Sequence, residues 1–292
     1  MRPTPWILGL DLGGTRLKAL CLTPEGAEIA RVTVSSGGDD WKQSVKQCVA
    51  QLLETHGAPT SIGVAAPGLP AKDDRSIAHM PGRLTGLVDL DWQDFLGFHK
   101  PVPVINDAHA ALLGEVWLGA AKSLCDVILL TLGTGVGGAA LTSGKLLRGH
   151  LGRAGHFGHI SIHADGPPDI VNTPGSLEDA VGNHSLHTRS GGRFHSTADL
   201  VVAAKAGDPQ AAILWQTTIR DLAAGIASLI NVLDPEVVLL GGGIAEAGDD
   251  LFQPLAAEMD RVEWRPNGYS VPILRAALGE WAGAIGAASY AR

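Results

Sequence analysis

Mostly apolar residues occupy positions 6–12, interrupted by Asp11, stop at the pair Gly13-Gly14, and resume over 17–22. An apolar run, a glycine bend and a second run predict a β-hairpin. Pro24-Glu25-Gly26 supplies a turn, and the alternation over 28–35 predicts a third strand. The period then changes: Trp41, Val45, Cys48, Val49, Leu52 and Leu53 recur at helical spacing, closed by His56-Gly57. Residues 61–66 read as a buried strand ending at Pro67-Gly68, and a Gly/Pro-rich loop runs through Pro81-Gly82. A further strand covers 102–105, and Asn106-Asp107 stands at the head of a helix over 108–117.

The second half repeats this grammar. Residues 127–132, the bend Gly133-Thr134-Gly135-Val136-Gly137-Gly138 and residues 139–141 again give strand, glycine turn and strand, with Ser143-Gly144 as the next tight turn. A long helix over 211–233, an apolar strand over 237–240 and the triplet Gly241-Gly242-Gly243, leading into a helical stretch, follow. The last apolar segment, 282–290, reads as a helix of small residues suited to close packing between lobes. The repeat is one of pattern, since identity between the halves is weak. It divides the chain into a smaller α/β lobe over 1–117, with the helix 282–292 packing back on it, and a larger α/β lobe over 118–281.

Composition narrows the function. With 292 residues, 45% hydrophobic and 18% charged, the chain can bury two cores. A net charge of −8 with scattered basic residues disfavours nucleic acid. The cysteines Cys21, Cys48 and Cys125 form no Cys-x-x-Cys, which suggests neither disulfides nor a thiolate metal site, and no signal segment or run of 18 apolar residues occurs. A cytoplasmic protein with no membrane partner is expected.

Three glycine bends, each directly after an apolar strand, bring bare backbone up to a ligand. Glycine has no Cβ to hold a phosphate away, and consecutive N–H groups form a concave donor array. One such bend is most simply a plain turn; three shift the balance toward a nucleotide. There is no G-x-x-x-x-G-K-[ST], and the second bend opens a strand instead of a helix, which disfavours Walker and dinucleotide sites. Asp11, beside Gly13 and Gly14, could hold Mg²⁺ through water or simply serve the turn. Thr15 could donate to a phosphate or be an ordinary strand residue. Asp107 is the candidate general base for phosphoryl transfer to an alcohol; its plainer role would be a helix cap.

Taken in order, these segments resemble the ROK family, named for repressors, open reading frames and kinases. The resemblance rests on Leu10-Asp11-Leu12-Gly13-Gly14-Thr15-Arg16-Leu17-Lys18, Ala66-Pro67-Gly68 and Asn106-Asp107-Ala108-His109-Ala110-Ala111. It continues through Leu132 to Gly138, Gly144-Lys145-Leu146, Arg148-Gly149, Ala154-Gly155-His156-Phe157-Gly158-His159, Asp165-Gly166-Pro167-Pro168 and Asp234 to Ile244. It implies a two-lobed actin-like (ribonuclease H-like) α/β fold with a mixed sheet in each lobe. It further implies ATP with Mg²⁺ and phosphorylation of a hexose or N-acyl-hexosamine, most often at the C6 hydroxyl. By the same resemblance Asp107 is the base, and Gly68, His79, Asn106, His156, His159 and Glu178 meet the sugar. Asp11, Gly13, Gly14, Thr15, Lys18, Gly133, Thr134, Gly135 and Gly137 serve phosphate, and Gly242 and Gly243 flank the adenosine. Homodimers are common in the family. Its repressor branch carries a helix-turn-helix ahead of the first hairpin, where this chain opens directly on the hairpin.

Two departures stand out. Most members carry Cys-x-Cys-Gly-x-x-Gly-Cys after the Gly-His pair, and three of those cysteines bind zinc with the histidine. Here the segment reads Asp169-Ile170-Val171-Asn172-Thr173-Pro174-Gly175-Ser176. His159 and Asp169 do not make four strong ligands, so no zinc is expected, and a trihistidine site from His156, His159 and His163 is the lesser alternative. His156 also replaces a family glutamate, and His79 a frequent asparagine, at sugar-contacting positions. Some N-acetylmannosamine kinases of the family are similar in carrying Ala-Gly-His-x-Gly-His here, a resemblance that tilts the expected substrate toward an N-acyl-hexosamine, and a ring that can donate suits a carbonyl. The competing expectation is a sugar-binding or regulatory protein with little turnover. An acetate- or glycerol-type kinase is a third, less favoured because residues 149–168 follow the sugar-kinase pattern.

Overall fold

The computed structural model describes residues 5–37, 40–80 and 84–292; the Pro81-Gly82 part of the predicted loop lies outside them. The chain divides into two compact units. The first comprises Met1–Ser123, Arg148–Ala154 and Ala277–Arg292, the second Leu124–Leu147 and Gly155–Ala276. The division at 117/118 expected from the sequence therefore shifts to 123/124, and a short excursion, 148–154, returns to the first unit. Arg148 explains that return: its guanidinium pairs with Asp74, whose carboxylate also accepts from the Tyr290 hydroxyl at 2.5 Å.

In the first unit, β1 (Ile7–Leu12), β2 (Arg16–Leu22), β3 (Glu28–Ser35), β4 (Ser61–Ala66) and β7 (Val104–Asn106) form one sheet in the order β3-β2-β1-β4-β7. β1 pairs with β2 antiparallel and with β4 parallel. α1 (Trp41–His56) covers one side with its apolar stripe, and Trp41 tilts against Trp92 and Phe95 of α2 (Trp92–Leu96). A small ribbon, β5 (Leu69–Pro70) with β6 (Ile77–His79), and α2 lie inside the stretch read as loop; these elements are too short to show periodicity. α3 (Asp107–Leu118) follows β7.

The other side of this sheet is closed by α9 (Ala282–Ala291), which lies against α3, β1 and β4 within the first unit. Small residues set this approach. A Cβ on Gly9 or Gly63 would overlap the carbonyls of Ala284 and Ala287, and one on Gly286 would overlap the Ala110 carbonyl. Close packing of this helix, expected between the lobes, is thus observed inside one of them.

The second unit repeats the order: β10-β9-β8-β11-β12, from β8 (Val127–Leu132), β9 (Val136–Thr142), β10 (Lys145–Leu146), β11 (Val237–Gly241) and β12 (Ile273–Arg275). Ser143 and Gly144 both have positive φ, 51° and 72°, as a two-residue I′ hairpin loop requires. β9 begins at Val136, so Gly137 and Gly138 are strand residues opposite Thr131 and Leu130 and not part of the bend. Gly138 is glycine because the Phe157 ring and the Gly155 carbonyl each stand 2.6 Å from where its Cβ would lie. α7 (Pro209–Leu233), capped by Asp208, and α8 (Asp249–Val262) pack with α4 (Leu177–Val181), α5 (Asn183–Arg189) and α6 (Thr197–Lys205) into a large apolar core. Each fully buried Leu or Ile there contributes about 1.5–3 kcal/mol of transfer free energy. α4, α5 and α6 left no clear signal in the sequence, being five to nine residues long.

Candidate functional site

Two half-sites are built, one in each unit. In the first, Asp11 is the penultimate residue of β1 and the hairpin bend Gly13-Gly14-Thr15 follows Leu12. Ser36, fully buried beyond β3, holds this bend from behind: its hydroxyl donates to the Gly13 carbonyl at 2.8 Å and its N–H to the Thr15 carbonyl at 3.0 Å. A trans peptide points its C=O and N–H in opposite directions, so tying back the Gly13 carbonyl turns the Gly14 N–H outward. Lys18 sits opposite Asp11 on β2, its Nζ 3.9 Å from the carboxylate, and donates to the Glu280 carbonyl at 2.7 Å.

Asp107 and Asn106 divide the head of α3 between them. Asn106 is the cap: its Oδ1 accepts from the N–H groups of Ala108 and His109, and its Nδ2 donates to the Gly68 carbonyl at 3.1 Å. Asp107 is the first helical residue, with one carboxylate oxygen taking the Ala108 N–H at 2.8 Å. Its side chain reaches solvent, yet protein atoms crowd the space around it at longer range. That desolvation pushes its carboxyl up, against the bonds from Ala108 and Asn106 that favour the charge. Asp11 is pushed up to about 6 by burial, a shift that Lys18 opposes and the Asp107 charge reinforces. The two carboxyls therefore sense each other, which places them in one neighbourhood.

Gly68 and His79 belong to the same half. Gly68 has φ +104°, and its Cβ would lie 2.6 Å from the His79 carbonyl, so only glycine fits between β6 and the Asn106 amide. The His79 side chain is exposed.

In the second unit, the bend Gly133-Thr134-Gly135 and the triplet Gly241-Gly242-Gly243 lie side by side, because β8 and β11 are parallel neighbours. Gly242 has φ +84°, and a Cβ there would overlap the Leu132 carbonyl, while Gly133 and Gly243 face open space. The Gly133 N–H goes to the Gly135 carbonyl and the Val136 N–H to Glu178 Oε2 at 3.0 Å. Among the described residues no acceptor takes the Thr134 and Gly135 N–H groups. Those donors and the bare glycines fit a phosphate-bearing nucleotide. Gly137 lies outside this donor set.

Glu178, on α4, closes the bend: a Cβ on Gly135 would strike its carboxylate, and a Cβ on Gly158 would lie 3.3 Å from its own Cβ. The 3₁₀ turn Phe157–His159 follows the half-buried His156 and packs against α4, with Gly158 facing Glu178. His159 Nδ1 donates to Asp169 Oδ2 at 2.8 Å, and Asp169 Oδ1 accepts the Val171 and Thr173 N–H groups, both at 2.9 Å. Burial of Asp169 works against its charge, but the bonds from His159, Thr173, Val171 and Ser176 outweigh it and hold the carboxyl below the usual range. This buried carboxylate organises the loop where cysteines are lacking. His163 pairs instead with Asp221, and among the described residues no group of three or more His, Cys, Asp or Glu gathers as metal ligands would.

Sequence reasoning missed Ser36, the pairing of Asp169 with His159, and the pair Asp179 and His184 beside the second bend. Ser36, Asp169, Asp179 and His184 lie in no glycine motif, and Ser36 and His184 act on bends 23 and 50 residues away.

The ROK family pattern matches residues 7–292. The chain belongs to the ROK family. A glucokinase from Thermotoga maritima is 30% identical over 308 residues, covering 97% of this chain and 96% of that protein. The crystal structure of a ROK hexokinase from Thermus thermophilus superposes with a TM-score of 0.86 at 31% identity, covering 98% and 97% of the two chains. A ROK glucokinase from Streptomyces griseus, solved with glucose and AMPPNP, gives 0.80 at 28% identity over 98% and 99%. The fold of this ROK protein is accordingly the actin-like α/β fold, a mixed sheet in each unit. Among its described residues no helix is long and apolar enough to cross a membrane.

Proposed function

We propose that this ROK protein is an ATP-dependent sugar kinase in which Asp107 takes the proton of a hexose or N-acyl-hexosamine hydroxyl, the C6 hydroxyl being the expected one. Full-length likeness to sugar kinases supports the class. The observation that carries the residue assignment is the division of labour at α3. Asn106 satisfies the helix end, so the Asp107 carboxylate is not needed as a cap, remains open to solvent and has its proton affinity raised by desolvation. A base of raised pKa is better matched to an alcohol than an ordinary carboxylate. In the reaction the sugar oxygen forms the new bond to the γ-phosphorus as its bond to the ADP oxygen breaks, and Asp107 receives the hydroxyl proton.

The remaining residues bind and orient. Thr134 and Gly135 offer main-chain donors to phosphate beside the bare Gly133, and Gly242 and Gly243 leave room for the adenosine. Mg²⁺, when bound, supplies charge neutralisation at the phosphates, and Asp11 is the residue to hold it through water. Gly68, His79, His156, His159 and Glu178 are assigned to the sugar. Asn106 contributes there by fixing Gly68, and one amide proton remains for a hydroxyl. His156 can donate where a glutamate can only accept, which favours an acyl carbonyl on the sugar.

The test is coupled ADP release over a panel of hexoses and N-acyl-hexosamines, with native protein and Asp107→Asn. A sugar-dependent rate, lowered at least about 100-fold by the substitution, is expected. If no sugar raises ADP release above background, a sugar-binding or regulatory role replaces catalysis.

A further inference from the structure

The second glycine bend is held from behind by the first turn of α5. The Gly133 carbonyl accepts the Asn183 N–H at 3.0 Å, and the Thr134 carbonyl accepts the His184 N–H at 2.8 Å. The Thr134 carbonyl also faces His184 Nδ1 at 2.9 Å, while His184 Nε2 faces Asp179 Oδ1 at 2.8 Å. A carbonyl oxygen and a carboxylate oxygen can only accept, so both ring nitrogens must donate. A neutral imidazole carries one N–H and would set a lone pair against one of the two oxygens. Facing a carbonyl and an ionised carboxylate, the ring satisfies both only as an imidazolium.

We propose that His184 is a protonated positioning residue of the nucleotide half-site, its imidazolium locking the two peptide planes of the Gly133-Thr134-Gly135 bend so that the Thr134 and Gly135 N–H groups point at phosphate. The inference rests on the kinase function proposed above and adds a residue and a charge to it. Peptide planarity carries the first part: with the Gly133 and Thr134 carbonyls tied to α5, the following N–H groups project the other way. Charge carries the second. Glu178 lies against Gly135 and Asp179 on the same short helix, so without a cation the bend would present phosphate with two carboxylates. A cation donating to the Thr134 carbonyl also polarises that peptide and strengthens its Gly135 N–H as a donor.

The groups around the ring agree with this state. Burial alone would lower the His184 pKa, but the Thr134 carbonyl, the Asp179 bond and the charges of Glu178 and Asp179 together raise it above 6.5. On its own helix, Arg189 is directed to Ser185, Thr218 and the Gly182 carbonyl, and His187 stacks on His195.

Two measurements test the proposal. Nitrogen-15 correlation spectra of the native protein at pH 7.5, with the signal assigned by its loss in His184→Gln, should show both ring nitrogens protonated. A neutral tautomer at that pH overturns it. Calorimetric titration with Mg·AMPPNP should show about tenfold weaker binding for His184→Gln, substantial recovery for His184→Arg, and an unchanged KM for the sugar. Unchanged AMPPNP affinity in His184→Gln, or equal weakening toward sugar and nucleotide, overturns it, the latter marking a merely structural residue. Native protein that binds no AMPPNP sinks both this inference and the kinase function beneath it; native binding with an indifferent His184→Gln sinks only the inference.

Discussion

The strands β1 and β8 are both six residues long, and each is buried at every position except the fifth, which is half exposed. That fifth position is Asp11 in one and Thr131 in the other. Each strand opens into a glycine bend whose carbonyls are tied down from behind, by Ser36 in the first unit and by the head of α5, with His184, in the second. The same scaffold therefore sits among different charges: Asp11 with Lys18 at the first bend, and His184 with Glu178 and Asp179 at the second. Apolar positions reproduce the frame, while the half-buried fifth residue and the residue behind the bend differ between the two units. The third strand position differs too, with Gly9 paired to Gly63 in one sheet and Leu129 paired to Leu239 in the other. A helix of small residues lies directly on the glycine pair.

The sharpest way to break the comparison is to erase the carboxylate. Asp11→Asn should lower kcat/KM about 100- to 1000-fold in the ADP-release assay, the usual size of a lost electrostatic stabiliser at a phosphoryl centre. The same change should stabilise the protein. With its carboxyl at about 6 against 3.8, folded Asp11 retains a proton that the unfolded chain releases. Its contribution to stability is thus present at low pH and declines as pH rises from about 4 through about 6. At pH 8 the ionised group opposes folding by up to about 3 kcal/mol, so denaturant melts should show Asp11→Asn more stable than native there and equal to it near pH 4.

Packing gives the next effect. Gly9→Val should destabilise by about 3 kcal/mol or more, because its Cβ meets the Ala284 backbone, which has no rotamer to yield. Leu129→Val at the matching position should lose only about 1 kcal/mol in the same melts. Equal losses would mean that α9 does not depend on the glycine pair. The smallest effect separates the neighbours at α3. Asn106→Ala should cost about 1 kcal/mol of stability as a lost cap and raise the sugar KM through Gly68, while Asp107→Asn costs no stability at neutral pH.

Much of the frame was legible in the sequence because apolar periodicity reports burial directly. The β1–β2 and β8–β9 hairpins, α1 and the parallel strands β4 and β11 were readable to within a few residues. α4, α5, α6 and the β5–β6 ribbon were not, since one or two turns of helix carry too few positions to show a period. Gly137 and Gly138 were read into the bend because glycine marks a turn and a tight strand contact with the same letter; only the register, with Phe157 against Gly138, tells them apart.

By itself the sequence determined the two repeated sheets, the glycine bends and the acidic candidates Asp11 and Asp107, since each depends on local residue type and spacing. Tertiary structure alone decided that Asn106 and not Asp107 caps α3, that Asp169 closes the cysteine-free loop onto His159, and that His184 stands behind the second bend. Those assignments turn on which hydrogen-bonding group meets which once the elements are packed, over two residues for Asn106 and 50 for His184. Such meetings are fixed by the packing of elements and leave no period in the chain.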